Sequence, residues 1–356
     1  MRVEIDLKID CIQTVSEMTR ANLNRSLAEA KKAKEDEFYT ELSVIEQELK
    51  HYRKHFRGKV VYCNCDDPRI SNFFHYFSYN FEKLGLKKLV TTSYQNHDID
   101  QFGGDTETPG IKLEYLGDTN DNLVPDVDEI GVTRLAGDGD FRSPEAIELL
   151  EQADIVVTNP PFSLFREYVA QLIQFDKKFL ILGNQNQVAT NEIADLITQG
   201  KMWQGNYSGD MAFRVPDHYE PREHRFWVDD SGQKWRSLGT GCWYTNLDFA
   251  KRHEELILFK KYDPDKYPKY VNYDAIEVGR YKDIPMDYAQ PMGLPVTSIS
   301  KLSPDQFEII GFSGTLAKPM SEVIEGAKGA GRFYLDQGNG TFKRMYDRVV
   351  IRNKRL

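Results

Sequence analysis

The residues best suited to chemistry form one short segment, "NPPF" (Asn159–Phe162), which follows the apolar run Ile155–Val157 after one threonine. The apolar run predicts a buried strand. Two adjacent prolines must end it, because they forbid helix and cannot donate ladder hydrogen bonds. A strand that ends in an amide, two prolines and an aromatic ring offers fixed acceptor atoms beside a stacking surface. We therefore expect this strand end to hold a substrate.

The chemistry that suits this segment is methyl transfer to an amine on an aromatic or heteroaromatic ring. Such an amine is a poor nucleophile, because its lone pair is delocalised into the ring. The side-chain oxygen of Asn159 and the backbone oxygen of Pro160 could draw the NH2 hydrogens out of the ring plane and localise the lone pair. Proline stiffens the loop, and Phe162 could stack on the ring. An electrophilic methyl group in line with the lone pair would complete a direct displacement without a covalent intermediate.

Other site chemistries lack their residues. No cysteine follows a proline, so the nucleophile of ring-carbon methylation is missing. Cys63 and Cys65 have no second pair at zinc-ligand spacing, and we expect no metal. No GxxxxGK[ST] phosphate loop occurs, and no GxGxxG follows the first strand.

The elements that must position this segment alternate along the chain. The pattern predicts strands in "GKVVYCNC", "KKLVTTSY", "IKLEYLG", "ADIVVT" and "KKFLILGNQN". Helices are predicted in "SNFFHYFSYNFEKLG", "SPEAIELLEQ", "SLFREYVAQLIQF" and "NEIADLITQG", with Ser71 and Ser143 as N-caps and Gly85 as a stop. A further helix is predicted over residues 16–57. This alternation indicates βαβ units and an α/β fold with a mostly parallel sheet. Ligands bind at the carboxyl ends of such strands, where Asn64–Asp67, Asp138–Phe141 and Asn159–Phe162 fall.

Composition and charge place the chain among soluble proteins. Four cysteines are too few for a disulfide framework, which fits a reducing cytoplasm, and neither a secretory signal nor a membrane span is apparent in the 356 residues. The net charge is −9, but its distribution is uneven. Residues 94–159 carry 16 acidic and 3 basic side chains, whereas residues 327–356 carry 8 basic and 2 acidic ones. This asymmetry is compatible with binding a polyanion on one face.

The regular alternation of strand and helix patterns ends near residue 200. The following stretch mixes aromatic residues, arginines, histidines and turn residues without clear periodicity. We therefore divide the chain into an N-terminal helical segment (residues 1–57), a catalytic domain (58–200) and a C-terminal region (201–356).

At these residues the sequence resembles the EcoRI-type adenine-specific DNA methyltransferases, which use S-adenosylmethionine. The resemblance extends from about residue 30 to the end. It rests on the strings "AKEDEFYTEL", "VYCNCDDPRISNFFHYF", "GDGDFRSPEAIELLEQADIVVTNPPFSLFREYV", "KKFLILGNQN", "YPKYVNYDAIEV" and "SPDQFEIIGFSG". It implies a Rossmann-like methyltransferase fold with a C-terminal target-recognition region, and site-specific methylation of adenine N6 in double-stranded DNA.

The resemblance also implies roles for individual residues. The catalytic residues would be Asn159, Pro160, Pro161 and Phe162, with Phe162 stacked on an adenine flipped out of the duplex. The cofactor-binding residues would be Phe38, Tyr39, Thr40, Asn64, Cys65, Asp66, Asp67, Asp140 and Phe141. The cofactor loop departs from the family pattern, because Cys-Asn-Cys-Asp-Asp replaces the usual glycine-rich Phe-x-Gly-x-Gly.

The late position of the target-recognition region directs attention to the arginines after residue 200. We expect DNA contacts among Arg214, Arg222, Arg225 and Arg236, since arginine suits both guanine edges and phosphates. The expected partner is double-stranded DNA rather than a membrane, and we expect a monomer. A cognate restriction endonuclease as genetic partner is compatible with the resemblance.

Two alternatives remain open at the level of sequence. Related Asn-Pro-Pro-aromatic loops also serve RNA adenine, cytosine N4 and protein glutamine as acceptors. A catalytically inactive nucleic-acid-binding protein on the same fold is the second alternative, because the cofactor loop is unusual.

Overall fold

A ten-stranded mixed sheet is the largest element of the computed structural model. The structure describes residues 39–65, 71–92, 110–122, 124–126, 128–137, 139–215 and 219–356. The strands of this part are β1 (Tyr39–Thr40), β2 (Val60–Cys63), β3 (Lys88–Thr92), β4 (Ile111–Tyr115), β5 (Ile130–Arg134), β6 (Ile155–Thr158), β7 (Lys178–Asn184), β8 (Trp203–Arg214), β9 (Phe226–Val228), β10 (Lys234–Thr245), β11 (Ile276–Glu277), β12 (Met292–Pro295), β13 (Phe307–Phe312), β14 (Tyr334–Asp336), β15 (Phe342–Arg344) and β16 (Arg348–Asn353).

The helices of the same part are short. They are α1 (Leu42–Leu49), α2 (Arg53–Phe56), α3 (Asn72–Tyr79), α4 (Phe81–Leu84), α5 (Pro144–Gln152), α6 (Phe165–Gln174), α7 (Asn191–Thr198) and α8 (Ser313–Leu316). Single 3-10 turns cover Phe162–Leu164, Gln185–Ala189, Ala250–His253, Tyr281–Asp283, Val296–Lys301 and Met320–Glu322. No helix of the described residues is long and apolar enough to cross a membrane.

Four parallel strands occupy the centre of the large sheet, in the order β3-β2-β6-β7. These are four of the five strands predicted from sequence, and their apolar runs are buried because both faces of the sheet are covered. The fifth, β4, is confirmed as a strand but pairs antiparallel with β3. Its hairpin partner β5 was not predicted, since its side chains are mostly exposed and give no apolar pattern.

The rest of the large sheet is antiparallel, so the expectation of a mostly parallel sheet holds only for the central four strands. The full order is β1-β8-β10-β7-β6-β2-β3-β4-β5, with β9 attached to β10. Strands β8 and β10 follow the boundary expected near residue 200, yet both belong to this sheet. The sheet thus draws its strands from both sides of that position.

Within residues 39–57, the predicted N-terminal helix is confirmed over Leu42–Leu49 and Arg53–Phe56 but is wrong at Tyr39 and Thr40. Tyr39 and Thr40 form a strand on β8, because an aromatic and a β-branched residue suit an extended edge. Helices α1 and α2 follow, with a turn between them. Residues 16–38 of that prediction lie outside the described residues.

The other helix predictions are confirmed in place, with capping as expected. The Ser71 hydroxyl accepts a hydrogen bond from the Phe73 backbone N–H, and Ser143 does the same for Ala146. Gly85 ends α4 with a φ of 64°, in the left-handed region that favours glycine. The helix predicted after Ser71 is interrupted at Asn80, which separates α3 from α4.

Helices cover the two faces of the large sheet, and a second sheet completes one of them. The aromatic side chains of α3 and α4 pack on one face, whereas those of α6 pack on the other. The four-stranded sheet β11-β12-β16-β13 shares the core of the α6 face, where Ile276 and Val349 join the same apolar cluster as Val156. A buried ion pair ties this second sheet together, with Arg348 Nε 2.9 Å from Glu277 Oε2.

Candidate active site

The site predicted from sequence lies where the connections of the parallel strands reverse direction. From β2 the chain passes through α3 and α4 to β3 on one side, while β6 leads through α6 to β7 on the other side. The helices after β2 and after β6 pack on opposite faces of the sheet. A crevice therefore opens between the carboxyl ends of β2 and β6, the usual ligand position in such sheets.

The segment Asn159–Phe162 leaves β6 at this crevice. Asn159 is only 6% exposed, Pro160 is buried, and Pro161 and Phe162 are half-buried. Every described peptide bond is trans. The segment passes directly into a 3-10 turn at Phe162 and then into α6, and the Gln187 side-chain amide donates to the Phe162 carbonyl at 3.3 Å. The segment is thus fixed at both ends by regular structure.

The segment Asn64–Cys65 leaves β2 on the other side of the crevice. The Tyr168 hydroxyl, in α6, donates a hydrogen bond to Asn64 Oδ1 at 2.5 Å, and both side chains are buried. Cys65 has a φ of 77°, in the left-handed region where L side chains are uncommon. Cys65 therefore adopts a backbone conformation that favours glycine, in a loop where the family pattern has glycines. Asp66 and Asp67 lie outside the described residues.

The segment Asp140–Phe141 lies beside α6. The Arg142 guanidinium donates two hydrogen bonds to the Asp140 carboxylate, from Nε to Oδ1 at 2.9 Å and from Nη2 to Oδ2 at 2.7 Å. These hydrogen bonds raise the pKa of Arg142. Phe141 is 6% exposed, and its ring packs edge-on against that of Tyr168 with centroids 5.0 Å apart. The Gln171 side-chain amide donates to the Phe141 carbonyl at 3.0 Å. Helix α6 therefore contacts two of the three segments expected to bind the cofactor.

The predicted residues of β1 reach the same region through a different contact. Thr40 pairs with Phe213 of β8, and its carbonyl accepts a hydrogen bond from the Asn72 amide at 2.7 Å. Asn72 is the first residue of α3, the helix that follows the cofactor loop. The Thr40 hydroxyl is buried without a hydrogen-bond partner among the described residues. Tyr39 pairs with Arg214, and Phe38 lies outside the described residues.

The four candidate arginines all lie on or beside an extension of the sheet past this edge. The last residue of β7, Asn184, pairs with Gly241, so residues 234–240 of β10 extend beyond β7 together with β8 and β9. We call this extension, β8 from Gly209 together with β9 and residues 234–240, the ribbon. It brings the arginines together at the carboxyl edge.

Each candidate arginine also has a partner within the chain. Arg214 Nε lies 2.6 Å from Glu41 Oε1, and an Arg225 terminal nitrogen lies 3.0 Å from Asp210 Oδ1. Arg236 donates to the carbonyls of His224 and Arg225, and the Arg222 guanidinium lies 5.9 Å from the centre of the Tyr219 ring. These contacts stabilise the ribbon. An arginine that also binds DNA must therefore keep its protein partner while contacting DNA, or exchange that partner for DNA.

Sequence reasoning missed several residues of this region. Tyr168 and Arg142 were not singled out, although each lies within a few residues of a predicted segment. A stacked pair, Trp227 and Trp235, also lies on the ribbon, with rings 6.0 Å apart and nearly parallel at 3°. The eight-residue spacing of the two tryptophans about the turn "DDSGQ" was the available signal.

Comparison with known proteins now decides the family. The model of the family described as "Adenine-specific methyltransferase EcoRI" matches residues 26–354. The chain belongs to this family of EcoRI-type adenine-specific methyltransferases. The expected enzyme class, a site-specific adenine DNA methyltransferase, and the expected cofactor, S-adenosylmethionine, are thereby confirmed.

Named relatives match along nearly their whole lengths. The chain is 46% identical to the type II methyltransferase M.EcoRI of Escherichia coli over 344 residues, which is 95% of this chain and 99% of the relative. It is 38% identical to M.MpnI of Mycoplasma pneumoniae over 91% of this chain and 97% of the relative. It is 37% identical to M.MgeORF184P of Mycoplasma genitalium, over 92% of this chain and 98% of the relative. No solved structure matches the chain significantly.

The residues at the crevice fit S-adenosylmethionine by their chemistry. The cofactor carries a carboxylate, an ammonium, ribose hydroxyls and an adenine ring. The buried amide of Asn64, the hydroxyls of Thr40 and Thr158 that lack partners among the described residues, and the ring of Phe141 match these groups. No cluster of potential metal ligands occurs in the described part of the chain.

Proposed function

We propose that the segment Asn159–Phe162 holds a flipped-out DNA adenine, while the segments 39–40, 64–65 and 140–141 hold S-adenosylmethionine beside it. The observation that carries this proposal is the position of Asn64 and Asn159 at adjacent strand ends, on either side of the reversal between β2 and β6. A substrate pocket and a cofactor pocket that share such a crevice can bring two ligands into contact.

The Asn159 side-chain oxygen and the Pro160 carbonyl accept hydrogen bonds from the adenine N6 amino group. These acceptors need little reorganisation, because Asn159 and Pro160 are buried and Pro161 fixes the backbone ahead of the 3-10 turn. When bound, S-adenosylmethionine supplies an electrophilic methyl group on a sulfonium. Asn159 and Pro160 would hold the N6 amino group with its lone pair directed at that methyl group, and the N6 proton would pass to water as the methyl is transferred.

Phe162 stacks on the extruded adenine and sets its plane. Its ring is half-buried against the core, which leaves part of its surface for a base. An adenine within a duplex stack cannot reach a segment this enclosed, so the reaction requires base flipping. A fluorescent adenine analogue at the target position should brighten when the protein binds. Fluorescence that remains quenched would contradict flipping.

The cofactor is held by residues from three elements, Tyr39 and Thr40 of β1, Asn64 and Cys65 after β2, and Asp140 with Phe141. Phe38, Asp66 and Asp67 belong to the same proposal and lie outside the described residues. Arg142 fixes the Asp140 carboxylate, so Asp140 contacts the cofactor through its remaining acceptor capacity.

DNA recognition is assigned to residues 201–356, with residues 58–200 as the catalytic domain and residues 1–57 as the N-terminal segment. The ribbon supports this assignment because it projects past the same edge as Asn159 and carries or adjoins the arginines at positions 214, 222, 225 and 236. Replacing the four arginines by alanine should weaken DNA binding and leave S-adenosylmethionine binding intact. Unchanged DNA affinity would exclude their role.

The cellular setting follows from the same proposal. The enzyme acts on chromosomal DNA in the cytoplasm as a monomer, and the type II names of its relatives suggest a cognate restriction endonuclease as genetic partner. Among the described residues, no disulfide joins Cys63, Cys65 or Cys242.

The deciding experiment is native single-molecule sequencing of DNA from a methylation-deficient bacterium that expresses the chain, with Asn159→Ala as the control. We expect N6-methyladenine at one short motif, absent with the variant. No modified adenine despite well-folded protein would contradict the proposed function and favour an RNA or protein acceptor.

A further inference from the structure

The Asn64 side chain is hydrogen-bonded to a buried tyrosine. The Tyr168 hydroxyl donates to Asn64 Oδ1 at 2.5 Å across 104 residues of sequence. Tyr62, two residues before Asn64, is also buried, and its hydroxyl lies 2.9 Å from Thr92 Oγ1. The amide oxygen is therefore already used as an acceptor.

Both tyrosines keep their protons at neutral pH. Complete burial raises the pKa of Tyr168 well above its usual value, and burial also raises the pKa of Tyr62. Tyr168 thus remains a donor, and the Asn64 amide is held in one orientation. Its NH2 group carries two hydrogens and can only donate.

Tyr168 also links this amide to the catalytic segment. It lies in α6, which begins three residues after Phe162, and its ring packs on Phe141. Any shift of the catalytic segment that moves α6 therefore moves the hydrogen-bond donor to Asn64 as well.

We propose that Tyr168 is a positioning residue that fixes the Asn64 amide with its NH2 group towards the cofactor, where it donates to the carboxylate of S-adenosylmethionine. This inference rests on the proposed function of the crevice. An amide turned the other way would present its oxygen and favour the cofactor ammonium. The orientation set by Tyr168 selects between these two ends of the methionine group.

The position of α3 supports the carboxylate as the recognised group. Helix α3 begins at Asn72, shortly after the cofactor loop, and its first residue also contacts Thr40. The amino end of a helix carries partial positive charge, which favours a carboxylate and disfavours an ammonium nearby. The fixed amide and the helix end thus select the same charge.

The test compares three variants of the full-length chain by calorimetric titration with S-adenosylmethionine and with its decarboxylated analogue. Tyr168→Phe removes the donor and keeps the ring. Asn64→Asp keeps an acceptor for Tyr168 but removes the NH2 group. Tyr244→Phe is the matched control, because Tyr244 is equally buried, packs on Phe165 of the same helix at 5.1 Å, and donates to the Asn184 carbonyl instead.

We expect Tyr168→Phe to raise the Kd for S-adenosylmethionine roughly three- to tenfold, the usual effect of one buried hydrogen bond, and Tyr244→Phe to change it by less than about twofold. Asn64→Asp should weaken binding of S-adenosylmethionine at least about tenfold but binding of the decarboxylated analogue by less than about threefold. Only S-adenosylmethionine places its own carboxylate beside the carboxylate that this substitution introduces. A merely structural role would weaken both ligands equally.

Equal effects of Tyr168→Phe and Tyr244→Phe would overturn the positioning role. If Tyr168→Phe does not fold, Asn64→Asp decides alone, and equal losses for the two ligands would overturn the orientation of the amide. A wild-type chain that binds neither ligand would overturn the proposed cofactor site and this inference with it, whereas normal wild-type binding with the wrong variant pattern overturns only the inference.

Discussion

The two segments at the crevice, Asn64–Cys65 and Asn159–Phe162, follow neighbouring strands and each begin with a buried asparagine, yet the chain holds them in different ways. The loop after β6 is held by its own backbone, since Pro160 and Pro161 stiffen it and a 3-10 turn follows at once. The loop after β2 is held from outside, by the hydroxyl of Tyr168, while Cys65 adopts a left-handed conformation.

This difference suits the two proposed tasks. Acceptors that polarise an amine must already be in place when the reaction occurs, so backbone stiffness is an advantage. A cofactor loop must instead admit one ligand and release its product in every cycle. Breaking and re-forming side-chain contacts requires less free energy than changing the backbone conformation of a proline-containing loop.

The largest expected effect tests the stiff loop. Asn159→Ala should lower the single-turnover rate of adenine methylation by about 10²–10³, the usual loss for one preorganised hydrogen-bonding group. Asn159→Asp should retain more activity, because one acceptor oxygen remains. Rates with saturating DNA and cofactor would measure this, and an alanine variant as active as the aspartate variant would contradict the role of the side-chain oxygen.

The next effect concerns the aromatic ring of the same loop. Base–aromatic stacking contributes about 1–3 kcal/mol, so Phe162→Ala should lower the efficiency of DNA methylation by roughly 5- to 150-fold. Phe162→Tyr keeps the stacking surface and should stay near wild type. The initial rate at limiting DNA distinguishes them, and equal losses in both variants would point to a packing role in the core instead.

A smaller effect is expected in the loop after β2. Cys65 has a φ of 77°, where a β-branched residue is strained at a cost of about 1–3 kcal/mol. Cys65→Val should therefore weaken S-adenosylmethionine binding, whereas Cys65→Gly should preserve it. Calorimetric titration of both variants is the measurement. If valine is tolerated as well as glycine, the left-handed conformation is not required for binding.

The smallest expected effect concerns His253, which belongs to neither loop, and it is a change in stability alone. His253 nitrogens lie 2.8 Å from carboxylate oxygens of Asp248 and Asp305, and these hydrogen bonds raise the pKa of His253. Because the pKa of His253 is raised in the folded state, its protonation stabilises the fold fully below the unfolded pKa of about 6.5. This stabilisation is lost as the pH rises through the raised folded-state pKa. His253→Gln should therefore lower the melting temperature at pH 6 but hardly at pH 9. A pH-independent difference would contradict this origin.

The central βαβ order could be predicted from sequence because its signals are local. Apolar runs such as Val60–Cys63 and caps such as Ser71 and Ser143 mark their own elements. The N-terminal helix prediction failed only at Tyr39 and Thr40, because they become a strand by pairing with β8, more than 170 residues later. The length of β8 and β10 could not be predicted from sequence either, because their pairing and bulges depend on the whole sheet.

The site shows the same division. Asn159–Phe162 could be found from sequence because its residue types carry the chemistry. The contact between Tyr168 and Asn64 could not, because it joins residues 104 positions apart and neither side chain signals the other. Likewise, the arginines of the ribbon could be listed from sequence, but their partners Glu41 and Asp210 emerge only from the fold.

One paired measurement tests the central claim most directly, that one asparagine serves transfer and the other serves the cofactor. Asn159→Ala and Asn64→Ala would be compared with wild type for the Kd of S-adenosylmethionine and for single-turnover methylation of duplex DNA at saturating cofactor. The account predicts that Asn159→Ala keeps the Kd and loses transfer, while Asn64→Ala raises the Kd and recovers most of its transfer at saturation. Two variants that lose binding and transfer in equal proportion would contradict it.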